Sequence, residues 1–302
     1  MKRILVTGAS GFIGRNCLPL LISRGYEVHA VSVKAEDSIN GIHWNRTNLL
    51  VQAEVQELIA RTKPTHMLHF AWYAEPKKYW TSPENLQWVQ ASLELLRAFV
   101  LHGGTRVVMA GTCAEYDWRN GYCSEQTTPL LPTSLYGASK HALQGMLGAY
   151  SKETGLSSAW GRVFFLYGPN EHPDRLVASV IRSLLKKEQA RCTLGNQIRD
   201  FLHVEDVASA FVALLESSVT GPVNIASGHP VEIKQIVHTI AGKLDAMDLV
   251  RFGARPESVD DPPRLIADVG RLKNEVSWSP TFDLDRGIEQ TINWWKRELR
   301  ST

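Results

Sequence analysis

The chain has 302 residues, of which 44% are hydrophobic and 21% are charged, and its formal net charge is +2. This length allows a large buried core in one or two domains, and the nearly balanced charge argues against a nucleic-acid partner. No apolar run approaches the length that crosses a membrane, and the four cysteines lack the paired spacing of a zinc or redox site. We therefore expect a cytoplasmic globular protein with free thiols, no metal site and no membrane partner.

Short apolar runs rich in β-forming residues alternate with longer helical patterns through the first half of the chain. This alternation predicts an α/β fold with a doubly wound parallel sheet of the Rossmann type. The predicted strands are Arg3–Thr7, Glu27–Ser32, His66–Phe70, Arg106–Ala110 and Ser158–Phe164. The predicted helices between them are Asn16–Arg24, Val51–Ala60, Pro83–His102 and Ser134–Thr154.

After Tyr167-Gly168-Pro169 the alternation loosens, which indicates a smaller mixed α/β region that packs over the first. Its predicted helices are Leu176–Lys187, Val207–Glu216, Ile233–Lys243 and Asp283–Arg300. We assign residues 1–165 to the dinucleotide-binding domain, with a return segment at about 203–222. Residues 166–202 and 223–302 form the predicted substrate-binding region.

A glycine-rich turn follows the first strand and precedes the first helix. Its spacing is Gly8-x-x-Gly11-x-x-Gly14, with Phe12 and Ile13 between the last two glycines. Gly8 permits the tight turn, Gly11 lets the backbone approach a pyrophosphate, and Gly14 allows close packing of helix on strand. The helix N-terminus adds NH donors and the positive end of a dipole. We therefore predict a dinucleotide-binding loop, against the alternative of a glycine-rich turn without a ligand.

The residues at the end of the second strand bear on the choice between NAD and NADP. Enzymes that use NAD usually place an acidic residue there to bind the ribose hydroxyls. This strand ends instead in Ser32, and Lys34 follows two residues later. A small hydroxyl and a cation suit a 2′-phosphate, so NADP is the favoured cofactor. NAD remains an alternative if Glu36 or Asp37 folds back toward the ribose.

A threonine, a tyrosine and a lysine follow in the order typical of a nicotinamide-dependent active site. Tyr136 and Lys140 lie four residues apart on a predicted helix and therefore share one face. A nearby ammonium lowers the pKa of a phenol from its ordinary value of ~10, and Lys140 can also bind the nicotinamide ribose. Thr112 lies just beyond a predicted strand, where its hydroxyl can hold the substrate oxygen. The competing interpretation is a surface helix with an incidental tyrosine and lysine.

Together these segments resemble the extended short-chain dehydrogenase/reductase family, especially its branch that acts on nucleotide sugars. The resemblance spans nearly the whole chain. It rests on Thr7–Gly14, His69–Trp72, Gly111-Thr112 with Glu115-Tyr116, Tyr136–Lys140, Tyr167–Pro169, Arg199–Asp206 and Trp278–Pro280. The stretch Arg-Asp-Phe-Leu-His-Val-Glu-Asp at 199–206 is highly characteristic of this branch.

The resemblance also implies where the cofactor and the substrate lie. Asn48 would lie beside the adenine and Trp72 beside the nicotinamide, and the further implied cofactor contacts are Leu49, Phe70 and Ala71. The implied substrate contacts are Tyr73, Asn170, His172, Arg199 and Arg264, with the two arginines holding the nucleoside diphosphate. A homodimer is implied as well, in which the segments Pro83–His102 and Ser134–Thr154 pair across a two-fold axis as a four-helix bundle.

Departures from the family pattern narrow the expected reaction. Related 4,6-dehydratases carry an Asp-Glu pair directly after the catalytic threonine, where this chain has Cys113 and Ala114. Phe165 and Trp88 also replace familiar asparagines. These changes favour an NADPH-dependent reductase of a nucleoside-diphosphate 4-keto-6-deoxysugar. The alternatives are an NAD-dependent nucleotide-sugar 4-epimerase and a non-catalytic scaffold that binds the cofactor.

Overall fold

A computed structural model describes residues 2–34, 41–258 and 261–301 of the chain. Its strands, in chain order, are β1 Arg3–Thr7, β2 Glu27–Ser32, β3 Ile42–Arg46, β4 His66–His69, β5 Arg106–Thr112, β6 Tyr122–Cys123, β7 Ser157–Val163, β8 Phe165–Tyr167, β9 Ala190–Arg191, β10 Ile198–His203, β11 Gly221–Ile225, β12 Pro230–Glu232, β13 Val250–Arg251 and β14 Arg264–Ala267. Its α-helices are α1 Gly14–Ser23, α2 Gln52–Thr62, α3 Glu84–Leu101, α4 Leu135–Thr154, α5 Leu176–Leu185, α6 Val204–Glu216, α7 Ile233–Lys243, α8 Gly270–Asn274 and α9 Leu284–Ser301.

Seven strands form one parallel sheet in the order β11-β7-β5-β4-β1-β2-β3. From β1 the chain adds β2 and β3 on one side, and from β4 it adds β5, β7 and β11 on the other side. The crevice between the carboxyl ends of β1 and β4 is therefore the topological switch point, where such sheets bind ligands. The predicted doubly wound parallel sheet is confirmed.

Helices cover both faces of this sheet, because successive side chains of a strand project to opposite sides. On one face Ile4 and Val6 pack with Leu21 of α1 and Phe211 of α6. On the other face Leu5 belongs to a second apolar cluster with residues of α2, α3 and α4, namely Leu58, Phe99 and Leu143. Both faces of the strands are therefore buried, as their continuous apolar sequences predict.

A smaller mixed sheet lies in the second half of the chain. Its path is β12-β10-β14-β6, with β8 also paired to β10, and β12 runs antiparallel to β10. Helices α5, α7 and α9 share a separate apolar cluster beside it. This sheet confirms the expected mixed α/β region, whereas the predicted domain boundaries stay a prediction.

The structure corrects several predicted element boundaries. Strand β5 continues two residues past the predicted end at Ala110 and includes Thr112. Helix α6 begins at Val204, three residues before its predicted start.

Across the described ranges, no helix combines the length and apolar character that a membrane span requires. All four cysteines are free and buried, which confirms the expected free thiols.

Candidate active site

The glycine-rich loop has the shape that a bound pyrophosphate requires. Gly8 has a φ of +64°, and a Cβ there would come within 2.8 Å of the Ala71 nitrogen. A Cβ at Gly14 would overlap the carbonyl oxygen of Gly8, so the helix start packs directly on the turn. Helix α1 begins at Gly14 with Ile13 as its N-cap, without a capping side chain and without an acidic residue in its first turn. This end of the helix therefore suits an anionic ligand.

The ends of β2 and β3 bring cations near the expected ribose position. Ser32 is buried, its hydroxyl lies 3.4 Å from that of Ser10, and it accepts a hydrogen bond from the backbone nitrogen of Lys34. The register pairs Ser32 with Arg46, so the two side chains leave the sheet on the same face. Lys34 and Arg46 are both exposed. Arg46 was missed from the sequence because β3 was not predicted.

The predicted acidic alternatives to this cationic arrangement, Glu36 and Asp37, lie outside the described residues.

The predicted adenine contacts lie in the turn after β3. The side-chain oxygen of Asn48 accepts a hydrogen bond from the backbone nitrogen of Leu50 at 3.1 Å, and Leu49 is buried. An amide oxygen accepts two hydrogen bonds, so Asn48 retains capacity for the adenine amino group.

The residues after β4 border the glycine loop, as the resemblance implies. The backbone nitrogen of Ala71 donates to the Thr7 hydroxyl, and Phe70 packs edge-on against Phe211 at 4.9 Å. The indole nitrogen of Trp72 donates to Asn85 at 2.8 Å. These contacts fix the backbone of 70–72 at the switch point, between the loop and the predicted catalytic residues.

Thr112, Tyr136 and Lys140 meet at the carboxyl edge of the large sheet. Thr112 is the last residue of β5, and the Tyr136 phenol is hydrogen-bonded to its side chain. Tyr136 and Lys140 lie one turn apart near the start of α4. The Lys140 ammonium donates to the carbonyl oxygen of Ala110 at 2.9 Å and lies 3.8 Å from the centre of a Trp72 ring. The predicted trio therefore shares one location.

The protonation of this trio differs from the prediction. Burial raises the pKa of the Tyr136 phenol, and the hydrogen bond from Thr112 offsets only part of that rise. Burial also lowers the pKa of Lys140 to about 7. The expected lowering of the Tyr136 pKa by Lys140 is wrong for this structure, because the ammonium is directed at the Ala110 carbonyl and the Trp72 ring.

Aromatic rings that the sequence analysis missed surround the Tyr136 phenol ring. Tyr79 and Trp80 contact it edge-on, with centroids 4.8 Å and 5.8 Å away, and Trp118 packs against Trp80. Arg175 lies over the Tyr79 ring and is hydrogen-bonded to its hydroxyl. The density of aromatic residues at 79–80 was a visible signal, but nothing in the spacing linked it to Tyr136.

The predicted sugar-side residues are engaged with neighbouring groups. Asn170 has a φ of +69° and accepts a 2.6 Å hydrogen bond from Arg15, which also donates to the carbonyl of Ser10. His172 is exposed and accepts from the backbone of Asp174. The hydroxyl of Tyr73 donates to Glu75 at 2.9 Å. Arg15 thus connects the glycine loop to the segment after Tyr167-Gly168-Pro169.

The structure does not bring the two predicted diphosphate-binding arginines together. Arg199 is 2% exposed, forms a 2.5 Å ion pair with Asp261, and lies over the Phe165 ring. Arg264 is exposed, and the register pairs it with Ile198 rather than Arg199. Since side chains alternate along a strand, Arg199 and Arg264 leave the sheet on opposite faces. The expected convergence on one diphosphate is therefore absent from this arrangement.

The positions after Thr112 contain no accessible acid. Cys113 and Ala114 are both buried in a short 3₁₀ turn that continues from β5. The next residue, Glu115, is fully buried and pairs with Arg162 at 2.8 Å. Arg162 is thus the structural partner of a buried carboxylate.

A model of the NAD dependent epimerase/dehydratase family matches residues 4–226. UDP-glucuronic acid decarboxylase 1 of Xenopus tropicalis is 28% identical over 310 residues, which cover 99% of this chain and 73% of that protein. A dTDP-glucose 4,6-dehydratase of Xanthomonas campestris pv. campestris is also 28% identical, over 98% of this chain and 93% of its own. The crystal structure of Thermus thermophilus UDP-glucose 4-epimerase in complex with NAD superposes with a TM-score of 0.86 and 27% identity, covering 97% and 99% of the two chains.

The family match extends over well more than half of the sequence and includes the glycine loop, Thr112, Tyr136 and Lys140. The similar structure covers nearly the entire chain, so the likeness includes the smaller region as well. The chain therefore belongs to the NAD-dependent epimerase/dehydratase family, a nucleotide-sugar branch of the extended short-chain dehydrogenases/reductases, and is an enzyme of the oxidoreductase type.

Proposed function

We propose that this protein is an NADPH-dependent reductase of a nucleoside-diphosphate 4-keto-6-deoxysugar. The observation that carries the proposal is the hydrogen-bonded pair of Thr112 and Tyr136, with Cys113 and Ala114 in place of an acid pair. Such a site has a proton donor and an oxygen ligand but lacks the side chains that eliminate water from a sugar.

The trio supplies what ketone reduction needs from the protein. The bound nicotinamide would provide the hydride for C4 of the sugar. Tyr136 then donates its proton to the oxygen that develops negative charge, and Thr112 orients that oxygen by a hydrogen bond. Lys140 binds the ribose hydroxyls. Because burial raises its pKa, the Tyr136 phenol holds its proton at neutral pH, which suits donation during reduction.

Glu115 does not replace the missing dehydratase acid. Its carboxylate is fully buried and already accepts hydrogen bonds from the Thr112 backbone, Trp160 and Arg162. An acid that assists water elimination has to lie about 2.6–3.2 Å from the substrate atom that it protonates, or reach that atom through one water. A carboxylate turned into the core in this way supports reduction over dehydration.

The surroundings of Tyr136 also fit a deoxysugar. Tyr79 and Trp80 present apolar ring edges and faces beside the phenol. An apolar wall favours a methyl group at C6 over a hydroxyl or carboxylate, because burial of the polar groups without partners costs free energy. This wall is the feature that supports the 6-deoxy assignment.

The cofactor preference rests on Ser32, Lys34 and Arg46, which favour a 2′-phosphate over a free 2′-hydroxyl. Each hydrogen bond to a charged group contributes about 1.5–3 kcal/mol. We expect the double variant Lys34→Ala, Arg46→Ala to weaken NADPH binding by a factor of roughly 10² to 10⁴, with little change for NADH. Fluorescence titration of both cofactors measures this. Tighter binding of NADH than NADPH by the unaltered protein would contradict the preference.

A nucleotide-sugar 4-epimerase that retains NAD is the second candidate function. The Thermus thermophilus relative is a UDP-glucose 4-epimerase in complex with NAD, which favours this alternative. Such an enzyme would recycle its cofactor, so purified protein would carry bound nicotinamide and turn over without added cofactor. Reversed-phase analysis of the released nucleotide distinguishes this behaviour from that of a reductase.

The deciding experiment follows NADPH oxidation at 340 nm with dTDP-, GDP-, CDP- and UDP-linked 4-keto-6-deoxysugars. We expect oxidation with at least one of them and a 6-deoxyhexose product, which mass spectrometry identifies. Interconversion of 4-epimers without NADPH consumption would replace this proposal by the epimerase. Tight cofactor binding without turnover of any sugar nucleotide would favour the scaffold.

We further propose that the protein is a homodimer built on α3 and α4. The exposed face of α4 carries small residues at helical spacing, Ala138, Ala142, Gly145 and Ala149, with Met146 beside them. Leu86 on the neighbouring α3 is 60% exposed. Small side chains allow close approach of a second helix pair, and the exposed apolar groups would then be buried.

We also propose a cytoplasmic location. All four cysteines are free, and each is buried in the fold. Unpaired thiols of this kind are typical of reducing compartments. Fractionation of the source cells with an antibody against the chain tests the assignment.

A further inference from the structure

The buried carboxylate of Glu115 makes three hydrogen bonds. One oxygen accepts from the backbone nitrogen of Thr112 at 2.8 Å and from the indole nitrogen of Trp160 at 2.9 Å. The other accepts from the Nε atom of Arg162 at 2.8 Å. Glu115 and Arg162 are 0% and 1% exposed, so this is an ion pair within the core.

Glu115 and Thr112 form a reciprocal cap of the 3₁₀ turn between them. The Thr112 hydroxyl accepts from the backbone nitrogen of Ala114 at 3.2 Å, while Glu115 binds the Thr112 nitrogen. This pattern fixes both the backbone and the side chain at the start of the turn. Thr112 also provides the hydrogen bond to Tyr136, so the cap determines where its hydroxyl points.

Further hydrogen bonds hold Arg162, the partner of Glu115, in place. Arg162 donates to the Tyr116 hydroxyl at 3.0 Å, and that hydroxyl donates to Asn224 at 2.7 Å. The Asn224 amide nitrogen then donates to the carbonyl of Cys123 in β6. The carboxylate is therefore fixed by β5, β7 and the smaller sheet together, and cannot rotate without breaking buried bonds.

Stability alone does not account for an ion pair at this position. Replacing a buried pair by apolar residues of similar size is often neutral or stabilising, because both ions lose their hydration. Glu115 binds the backbone nitrogen of Thr112, a predicted active-site residue, and a displacement of about 1 Å at such a residue can cost on the order of 10²-fold in rate.

We infer that Glu115 is a positioning residue, whose hydrogen bond to the Thr112 backbone aims the Thr112 hydroxyl at the Tyr136 phenol. The inference rests on the proposed catalytic role of Thr112, but it holds for reduction and epimerisation alike. The charge of Glu115 has a second effect, since it favours the ammonium form of Lys140.

Two double variants separate the hydrogen bond from the charge. Glu115→Gln with Arg162→Met removes both charges but retains an oxygen acceptor for the Thr112 nitrogen. Glu115→Met with Arg162→Met removes the charges and the acceptor. We expect kcat of the first pair to stay within about tenfold of the unaltered protein, and kcat of the second to fall by on the order of 10²-fold with little change in KM. Equal kcat values for the two pairs would overturn the inference.

A readout independent of turnover is amide hydrogen exchange at Thr112. Its nitrogen should lose protection in the Glu115→Met pair and keep it in the Glu115→Gln pair. Unchanged protection in both pairs contradicts the inference even if activity falls. Absence of turnover in the unaltered protein contradicts the proposed function instead, and the exchange measurement still decides the role of Glu115.

Further variants guard against indirect effects. In a Thr112→Val background the Glu115→Met pair should lower kcat no further, because the group that it positions is gone. Asp206→Asn is the matched control, since Asp206 is a buried carboxylate that accepts from the backbone nitrogens of Thr281 and Phe282 away from the trio. It should lower stability without the kcat effect. If the methionine pair does not fold, Glu115→Leu with Arg162→Met repeats the test.

Discussion

Tyr136 combines a half-buried ring with a polar partner for its hydroxyl. Tyr79 and Trp80 contact the ring edge-on, and Thr112 is the hydrogen-bond partner of its hydroxyl. Burial disfavours the phenolate, so the pKa of Tyr136 lies above its ordinary value. A group of this kind gives up its proton when a stronger base develops beside it, as the oxygen of a ketone does during hydride addition.

Replacing this hydroxyl tests the proton-transfer role directly. We expect Tyr136→Phe to lower kcat by a factor of roughly 10² to 10⁴, because the ring remains while the proton donor is lost. NADPH affinity should change less than about threefold. Steady-state kinetics and cofactor titration measure both quantities. Tyr150→Phe on the same helix is the control, and activity of Tyr136→Phe close to that of the control would refute the assigned role.

The sequence predicted which residues form the trio but not all of their partners. The order and spacing of Thr112, Tyr136 and Lys140 were sufficient to place them together, since β5 ends and α4 begins at one sheet edge. The orientation of the Lys140 ammonium depends on the Ala110 carbonyl and on Trp72, which are distant in sequence. Such contacts arise from how helix and sheet pack, and no local pattern encodes them.

At the scale of single elements, the start of α1 depends on the absence of a side chain at Gly14. We expect Gly14→Ala to weaken dinucleotide binding at least tenfold and to lower stability, because its Cβ would overlap the Gly8 carbonyl. Gly145→Ala on the exposed face of α4 meets no atom within 4 Å and should raise helix stability by about 0.5–1 kcal/mol. Chemical denaturation and cofactor titration compare the two variants. Similar effects of both would contradict the packing argument.

Helix α5 has an ionisable group at its N-terminus. Glu171 is buried and accepts from the backbone nitrogen of Ala178, and burial raises its pKa to about 8. The folded protein therefore retains a proton on Glu171 between pH 4.5 and 8 that the unfolded chain releases. The contribution of this group to stability is present below pH 4.5 and is lost as the pH rises through 8.

Glu171→Gln should remove this pH dependence, since its amide does not ionise but still offers an acceptor to Ala178. Between pH 5 and pH 8 the free energy of unfolding of the unaltered protein should fall relative to the variant by on the order of 2 kcal/mol or more. Urea denaturation at several pH values measures the difference. A constant difference across this range would show that Glu171 does not titrate as its burial implies.

Elements were predictable where their residues fit one simple pattern. Strand β1 has its predicted bounds because a continuous apolar run followed by turn residues marks a strand buried on both faces. Strand β10 was missed because Arg199, Asp200 and His203 break the apolar pattern. These polar side chains are buried with partners from distant segments, such as Ser227 for Asp200, which sequence periodicity does not reveal.

At the scale of the whole molecule, a single charged substitution on α4 tests the proposed dimer. Ala142→Arg places a charged side chain on the exposed small-residue face of α4 and should convert the dimer to a monomer. Light scattering coupled to size-exclusion chromatography measures the mass. Gln235→Arg on the exposed surface of α7 is the control and should leave the mass unchanged. A monomeric unaltered protein would rule out the proposed assembly.

The large sheet is completed by late parts of the chain, because β11 is its edge strand and α6 covers one of its faces. Phe211 and Val223 from these elements pack in the same cluster as Ile4 and Val108. A fragment that stops near residue 165 would lack this covering layer and would expose a large apolar face of the sheet to water. The nucleotide-binding half is thus not a detachable module: such a fragment should aggregate on expression, and chimeras with relatives have to exchange both stretches of sequence at once.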